Sequence, residues 1–457
     1  MPGILFKNAL LVTMNPARQI YRGDLLVEQD RIVALQPSRT GEAHETIKSA
    51  LLTAHDRPAR VIDAEHCALL PGFVQTHIHL CQTLFRNHAE DLQLLDWLQQ
   101  KIWPFEAAHT ENSMRISARL GIAELLAGGS TTILDMGSVY HYDAVFEEAE
   151  RLGLRLVGGK CMMDAGEGVP AGLRETTVAS LHDSERLLRD WHGAAHNRLR
   201  YAFAPRFTLS CSEKLWEGVA ERARDAKVMV HTHASETAQE EALLVQRKNL
   251  RTIAFLRALD ICGPHCCFAH GVHVNEAERS ILAQDGTAVA HCPSSNMKLA
   301  SGLAPVAELR RAGVKVGLGA DGAPCNNNLD MFKEMCLTGM IQKVRLGPTA
   351  LGAQEIVEMA TITGAACLGL QEEIGSLEAG KKADVTLLRL DRLHSAPAND
   401  ENVYAQIVYA AQARDVSLTM VDGRIVYERG ELAACEAPQV VAQAEKELHQ
   451  LLQRVQV

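Results

Sequence analysis

Through the middle of the 457-residue chain, short apolar runs alternate with amphipathic stretches of helical period, the pattern of β/α units around a parallel sheet. Eight such runs are present: "ALLPGFVQTHI", "STTILDMG", "LRLVGGKCM", "LRYAFAPRF", "AKVMVHTHA", "CCFAHGV", "TAVAHCP" and "VKVGLGAD". Eight is the number that closes a (β/α)8 barrel of the TIM type, so the chain is predicted to be an α/β protein with that architecture. The two ends follow a different rule. "GDLLVEQDRIVALQP" near the start, and "GSLEAGKKADVTLLRL" (375–390) and "SLTMVDGRIVYERG" (417–430) near the end, alternate apolar and polar positions between turn signals. They predict short antiparallel strands, with "DG" as a hairpin turn. Both ends together are expected to build one small β-sandwich domain: 1–66 as its N-terminal part, 67–370 as the barrel, and 371–457 as the remainder plus a C-terminal helix.

Composition narrows the class without changing this architecture. Hydrophobic residues make up 47% and charged residues 22%, ordinary values for a globular protein. No apolar stretch is long enough to span a bilayer. A formal net charge of −10 provides no basic footprint for nucleic acid. The opening "MPGILFKNALLVTMNP" has no basic leader followed by a long apolar segment, so a cytoplasmic location is expected. The twelve cysteines are scattered without a compact framework, which fits reduced thiols in that compartment. A phosphate-binding GxxxxGK[ST] loop is missing.

The chemistry gathers at the ends of the apolar runs, where a barrel of this kind carries its active site. His77 and His79 are two residues apart on a strand and so share a face. His233 ends the fifth run and Glu236 follows in the loop; His270 ends the sixth; Asp321 ends the eighth. Neutral imidazoles ligate zinc or iron, and a carboxylate beside them can complete a metal site or take a proton. Packing alone does not account for four strand ends that each deliver such a group, since unpaired buried ionisable side chains are strongly disfavoured.

The segments "PGFVQTHIH", "HTHASE", "AHGVH", "HCPSSNMKLASG" and "GADGAPCNNNLDMF" resemble the cytosine and adenosine aminohydrolase branch of the amidohydrolase superfamily, over nearly the whole chain. The resemblance implies a deaminase that hydrolyses an amino group off a purine-type ring. It implies one divalent metal, zinc first and iron second, on His77, His79, His233 and Asp321, with Glu236, His270 and Asp321 moving protons. Glu236 must then be protonated at the right moment, which requires a raised pKa. His231 and His291 are implied as support rather than ligands. Members with two metals bridge them by a lysine at the end of the fourth strand; Arg206 stands there, which favours a single metal.

For the substrate, the resemblance points to Trp97, Glu106, Arg206 and Lys160. Glu106 suits sugar hydroxyls, Arg206 a ring carbonyl as in guanine deaminases, and Lys160 a polar or anionic group. Adenosine-type nucleosides such as 5′-deoxyadenosine are expected first, with guanine, pterin and s-triazine rings as alternatives. A small-molecule substrate and a homo-oligomer are expected, without nucleic acid or membrane partners.

Overall fold

A computed structural model describes residues 3–37 and 60–455. The stretch 38–59 of the predicted N-terminal part lies outside the described residues, as do 1–2 and 456–457. All eight apolar runs contain a barrel strand: Phe73–His79, Ser130–Met136, Arg155–Gly159, Leu199–Pro205, Met229–Ala234, Cys266–His270, Ala288–His291 and Val316–Leu318. Neighbours in this order pair in parallel, and the eighth closes on the first through Leu318 and Gln75. Alternation along each strand sets two cores. Val74, Leu134, Val157, Ala202, Cys267, Ala288 and Ala290 meet inside the barrel, closed at one end by Ala365, Cys367 and Leu368. Their neighbours Phe73, Ile133, Leu156 and Val289 belong to the larger core that includes the surrounding helices.

The first run departs from the reading of one strand. It is divided between two sheets: Cys67–Pro71 belongs to the small sheet and Phe73–His79 to the barrel, so pairing in the small sheet extends past the boundary drawn at 66. Gly72 makes the crossing, donating its N–H to the carbonyl of Asp384 at 2.9 Å. A Cβ there would lie 2.1 Å from the side chain of Thr131. An unbroken apolar run cannot reveal that its two halves face different partners.

Both chain ends do enter one mixed sheet, nine-stranded among the described residues. Cys67–Pro71 lies between Ile4–Val12 and Val385–Arg389, which is where the N-terminal and C-terminal portions join. The "DG" turn connects Val416–Val421 to Arg424–Glu428, with Asp422 at φ 51 and Gly423 at φ 74. Positive φ at both central positions is the primed turn that matches strand twist. The helix Ala437–Arg454 packs on Glu111–Ala127.

A buried ion cluster fastens this sheet to the barrel. Arg155, at the start of the third barrel strand, donates to Asp384 at 2.8 and 2.9 Å and to Asp422 at 3.2 Å. All three are buried. Removing Asp384 takes both of its hydrogen bonds from the buried Arg155 and leaves it Asp422 alone, at 3.2 Å. Asp384→Ala is expected to destabilise the chain by about 3–5 kcal/mol, read by urea unfolding.

Candidate metal centre and active-site cleft

The strand ends bring His77, His79, His233 and Asp321 together, so that one ligating atom from each lies within 4.8 Å of the others. His77 and His79 share the inward face of the first strand. Asp321 reaches them from a two-residue strand, Asp321–Gly322, paired with Ile78 and His79. Asp321 (φ 62) and His270 (φ 76) both sit in the left-handed region, backbone strain that concentrates where a side chain must be aimed. His77 Nε2 and His79 Nε2 approach Asp321 Oδ1 at 3.2 and 3.3 Å, and His79 Nε2 approaches His233 Nε2 at 3.1 Å.

The hydrogen-bond partners assign each ring's proton. His79 Nδ1–H donates to the Met136 carbonyl at 2.8 Å and His233 Nδ1–H to the Arg206 carbonyl at 2.7 Å. His231 Nδ1–H donates to the Cys267 carbonyl at 2.8 Å, so its Nε2 accepts from His77 Nδ1–H at 2.7 Å. Carbonyl oxygens only accept, so all three ligand imidazoles carry their proton on Nδ1. A second proton is opposed by burial, which pulls His79 down to about 3 and lowers His77 and His233. Three nitrogen lone pairs and one carboxylate oxygen therefore face one point with no proton among them. His77 Nε2 is buried without any hydrogen-bond partner. Like lone pairs this close repel one another, and a cation among them removes the repulsion. The donor set of three imidazoles and a carboxylate fits a divalent metal.

Asp321 is an anion here. Burial pushes its pKa up, but the neighbouring imidazoles of His77, His270 and His79 outweigh burial and hold it well below the usual range. Ser295 Oγ–H and the N–H of Gly322 donate to its two oxygens at 2.6 and 2.8 Å. Glu236 goes the other way. Burial raises its pKa, opposed by His270 and reinforced by Asp321. The carboxyl is thus held toward its protonated form. It lies 3.5 Å from His270 Nε2, and Ser301 Oγ–H donates to it at 3.3 Å. His270 Nδ1–H donates to Asn296 Oδ1 at 2.8 Å, which leaves Nε2 as an acceptor facing the cluster. Glu240 braces the loop beneath by accepting the Glu236 N–H at 2.8 Å.

A cleft of about 370 Å³ opens onto these groups, walled by Leu94, Trp97, Leu98, Phe207, Leu299, Gln82 and Arg206. Trp97 is both wall and helix packing, its Nε1–H donating to the Ala89 carbonyl at 3.1 Å. Glu106 and Arg206, which the sequence reading assigned to different parts of a ligand, are brought against each other. The guanidinium grips the buried Glu106 carboxylate at 2.7 and 3.2 Å, and Gln82 Nε2–H donates to the same carboxylate at 2.9 Å. Arg206 and Gln82 line the cleft, and Glu106 lies behind them. Lys160 is also away from the wall, fully buried in an ion pair with Glu175 at 2.5 Å. His231 supports His77, whereas His291 is buried with neither ring nitrogen hydrogen-bonded. Ser295, Asn296, Ser301 and Gln82 were not picked out from sequence, because small polar residues after a strand read as ordinary loop.

The Amidohydrolase family profile matches residues 68–426. The chain belongs to the amidohydrolase family. This amidohydrolase is 36% identical to a 5-methylthioadenosine/S-adenosylhomocysteine deaminase of Moorella thermoacetica, over 98% of this chain and 100% of that protein. It is 38% identical to a 5′-deoxyadenosine deaminase of Methanothermobacter thermautotrophicus, over 93% and 94% of the two chains. Its fold matches the crystal structure of an adenosine deaminase from Xanthomonas campestris with bound zinc, with a TM-score of 0.89, 30% identity and 98% coverage of each chain.

The pairing with Arg206 changes what a Glu106 substitution in this amidohydrolase does. Glu106→Ala strands a buried guanidinium, and a loss of about 3–5 kcal/mol is expected in urea unfolding. A variant with wild-type stability and a raised KM alone would assign Glu106 to the substrate instead.

Proposed function

We propose that the protein is a metal-dependent hydrolytic deaminase that releases ammonia from an aminated purine ring, with an adenosine-type nucleoside of the 5′-deoxyadenosine kind as its favoured substrate. His77, His79, His233 and Asp321 hold one divalent metal, zinc in the first place. The observation that carries this reading is the proton inventory of the cleft: four lone-pair donors without a proton, beside a buried Glu236 held toward its protonated form. When bound, the cation supplies Lewis acidity, which makes water a nucleophile at neutral pH.

The side chains supply the rest. A ring carbon bearing an amino group is attacked by water, whose proton passes to His270 Nε2 or Asp321 Oδ2. Glu236 donates its proton to the adjacent ring nitrogen, so no full negative charge develops on the ring. A proton returned to the exocyclic nitrogen makes ammonia the leaving group, and the carbon keeps the oxygen. Leu94, Trp97, Leu98, Phe207 and Leu299 offer apolar faces to a flat heteroaromatic ring and keep bulk water from it. The names of the relatives at 36% and 38% identity support the nucleoside.

A second reading, guanine or another ring with a carbonyl, draws on Arg206 in the cleft wall. It ranks lower because both terminal nitrogens of Arg206 already serve Glu106. A cytoplasmic setting is consistent with twelve cysteines that are all free thiols, and no helix of the described residues is long and apolar enough to cross a membrane.

Elemental analysis of purified protein is expected to find one divalent metal per chain, lost in a His77→Ala/His79→Ala double variant; two tightly held ions per chain would contradict the assignment. An ammonia-release screen over 5′-deoxyadenosine, adenosine, guanine and a pterin tests the substrate, with 5′-deoxyadenosine expected to turn over best. In the same assay Glu236→Gln should keep its metal and lose about 10²–10⁴-fold in kcat, whereas a loss of less than about threefold would remove Glu236 from proton transfer.

A further inference from the structure

We infer that Glu334 is a positioning residue for the reacting groups and acts on them through three consecutive residues, Ser294, Ser295 and Asn296. Glu334 stands on the helix Met331–Leu346 and is fully buried. Its Oε1 accepts from Ser294 Oγ–H at 2.5 Å and from Asn326 Nδ2–H at 3.0 Å, and its Oε2 accepts the Ser294 backbone N–H at 3.1 Å. Asn326 Nδ2–H also donates to the carbonyl of Ala320, the residue before Asp321, at 2.7 Å. One carboxylate thus joins the short helix after the seventh barrel strand, Pro293–Lys298, to the one after the eighth, Ala323–Asn326.

The next two residues of the first of these helices carry the connection into the site. Ser295 Oγ–H donates to Asp321 Oδ2 at 2.6 Å, and Asn296 Oδ1 accepts from His270 Nδ1–H at 2.8 Å. Ser294, Ser295 and Asn296 therefore tie to three different elements: the helix that follows the barrel, the eighth strand's end and the sixth strand's end. Asn296 Nδ2 has no hydrogen-bond partner, so its amide is set only by the backbone beneath it and by His270 itself. That backbone is a turn of the short helix Pro293–Lys298, and Glu334 anchors its first turn at Ser294. A carboxylate suits the post because all three of its partners are donors. A glutamine of the same shape has one acceptor oxygen and turns an N–H2 toward a donor, so the clamp loosens without a change in volume.

The inference rests on the deaminase reading, and its test separates the two. Glu334→Gln and Ser294→Ala are compared with wild type in ammonia release and, after loading with cobalt(II), in visible absorption. Both variants are expected to keep one metal per chain and a KM within about threefold of wild type, while kcat falls about 10–100-fold, the scale of a small misplacement of reacting groups. Combined with Ser295→Ala, Glu334→Gln should cost no more than the worse single variant, because both lie on one route. The cobalt band should shift, since Asp321 is held differently. A kcat within about threefold of wild type, losses that multiply in the double variant, or an unchanged cobalt spectrum overturns the inference. If Glu334→Gln does not fold, Ser294→Ala carries the same comparison. If wild type releases no ammonia from any purine-type ring, the deaminase reading falls, and the cobalt spectra still decide the role of Glu334.

Discussion

Everything at the mouth of the barrel depends on where three imidazole protons are. Each sits on Nδ1 because a carbonyl or His231 accepts it there, so the Nε2 lone pairs of His77, His79 and His233 all face Asp321. Had one ring been turned over, a proton would stand among the ligands and the cluster would be a hydrogen-bonded patch instead of a cation site. Burial reinforces the assignment by making a doubly protonated ring costly. Burial raises both carboxyl groups of the site, yet they part: three imidazoles outweigh it at Asp321, and His270 does not outweigh it at Glu236. Two acids in one cleft are thereby shifted in opposite directions.

The barrel provides the frame that these protons need. Closure fixes the strand ends relative to one another, and pairing of Asp321–Gly322 with Ile78 and His79 carries the sheet into the site itself. Among the described residues, the small sheet adds no side chain to the cleft wall. It is attached through Gly72 and the Arg155–Asp384–Asp422 cluster, at the opposite ends of the barrel strands from the ligands. Stability and chemistry are thus concentrated at different ends of the same strands, the usual division of labour in such barrels.

The barrel was legible from the sequence because its signal is periodic: eight apolar runs, each ending in a polar group, are the image of eight strands whose tips line a mouth. His77 and His79 could be paired because a two-residue spacing fixes a face. Other features depended on contacts that spacing does not encode. Glu106 and Arg206 are a hundred positions apart, and each alone reads as a substrate contact; only the fold shows that they neutralise each other. Lys160 reads as a contact for a polar or anionic group until Glu175 is found beside it. The division of the first run at Gly72 was hidden because strands of two adjoining sheets are equally apolar. Ser295 and Asn296 were within a quoted motif, yet nothing in their chemistry marks them until His270 and Asp321 are seen to lean on them.

Arg206 holds His233 with its main-chain oxygen and walls the cleft with its side chain. Met136 and Cys267 likewise orient imidazoles through their carbonyls alone. A main-chain oxygen stays in place whatever side chain replaces its neighbour, so ligand orientation is insulated from exchange at these three positions. At 206 the two duties part within a single residue: the backbone orients His233, and the side chain walls the cleft in a buried pair with Glu106. Joint exchange of the 106–206 pair would reshape that wall and leave the imidazole cluster in place.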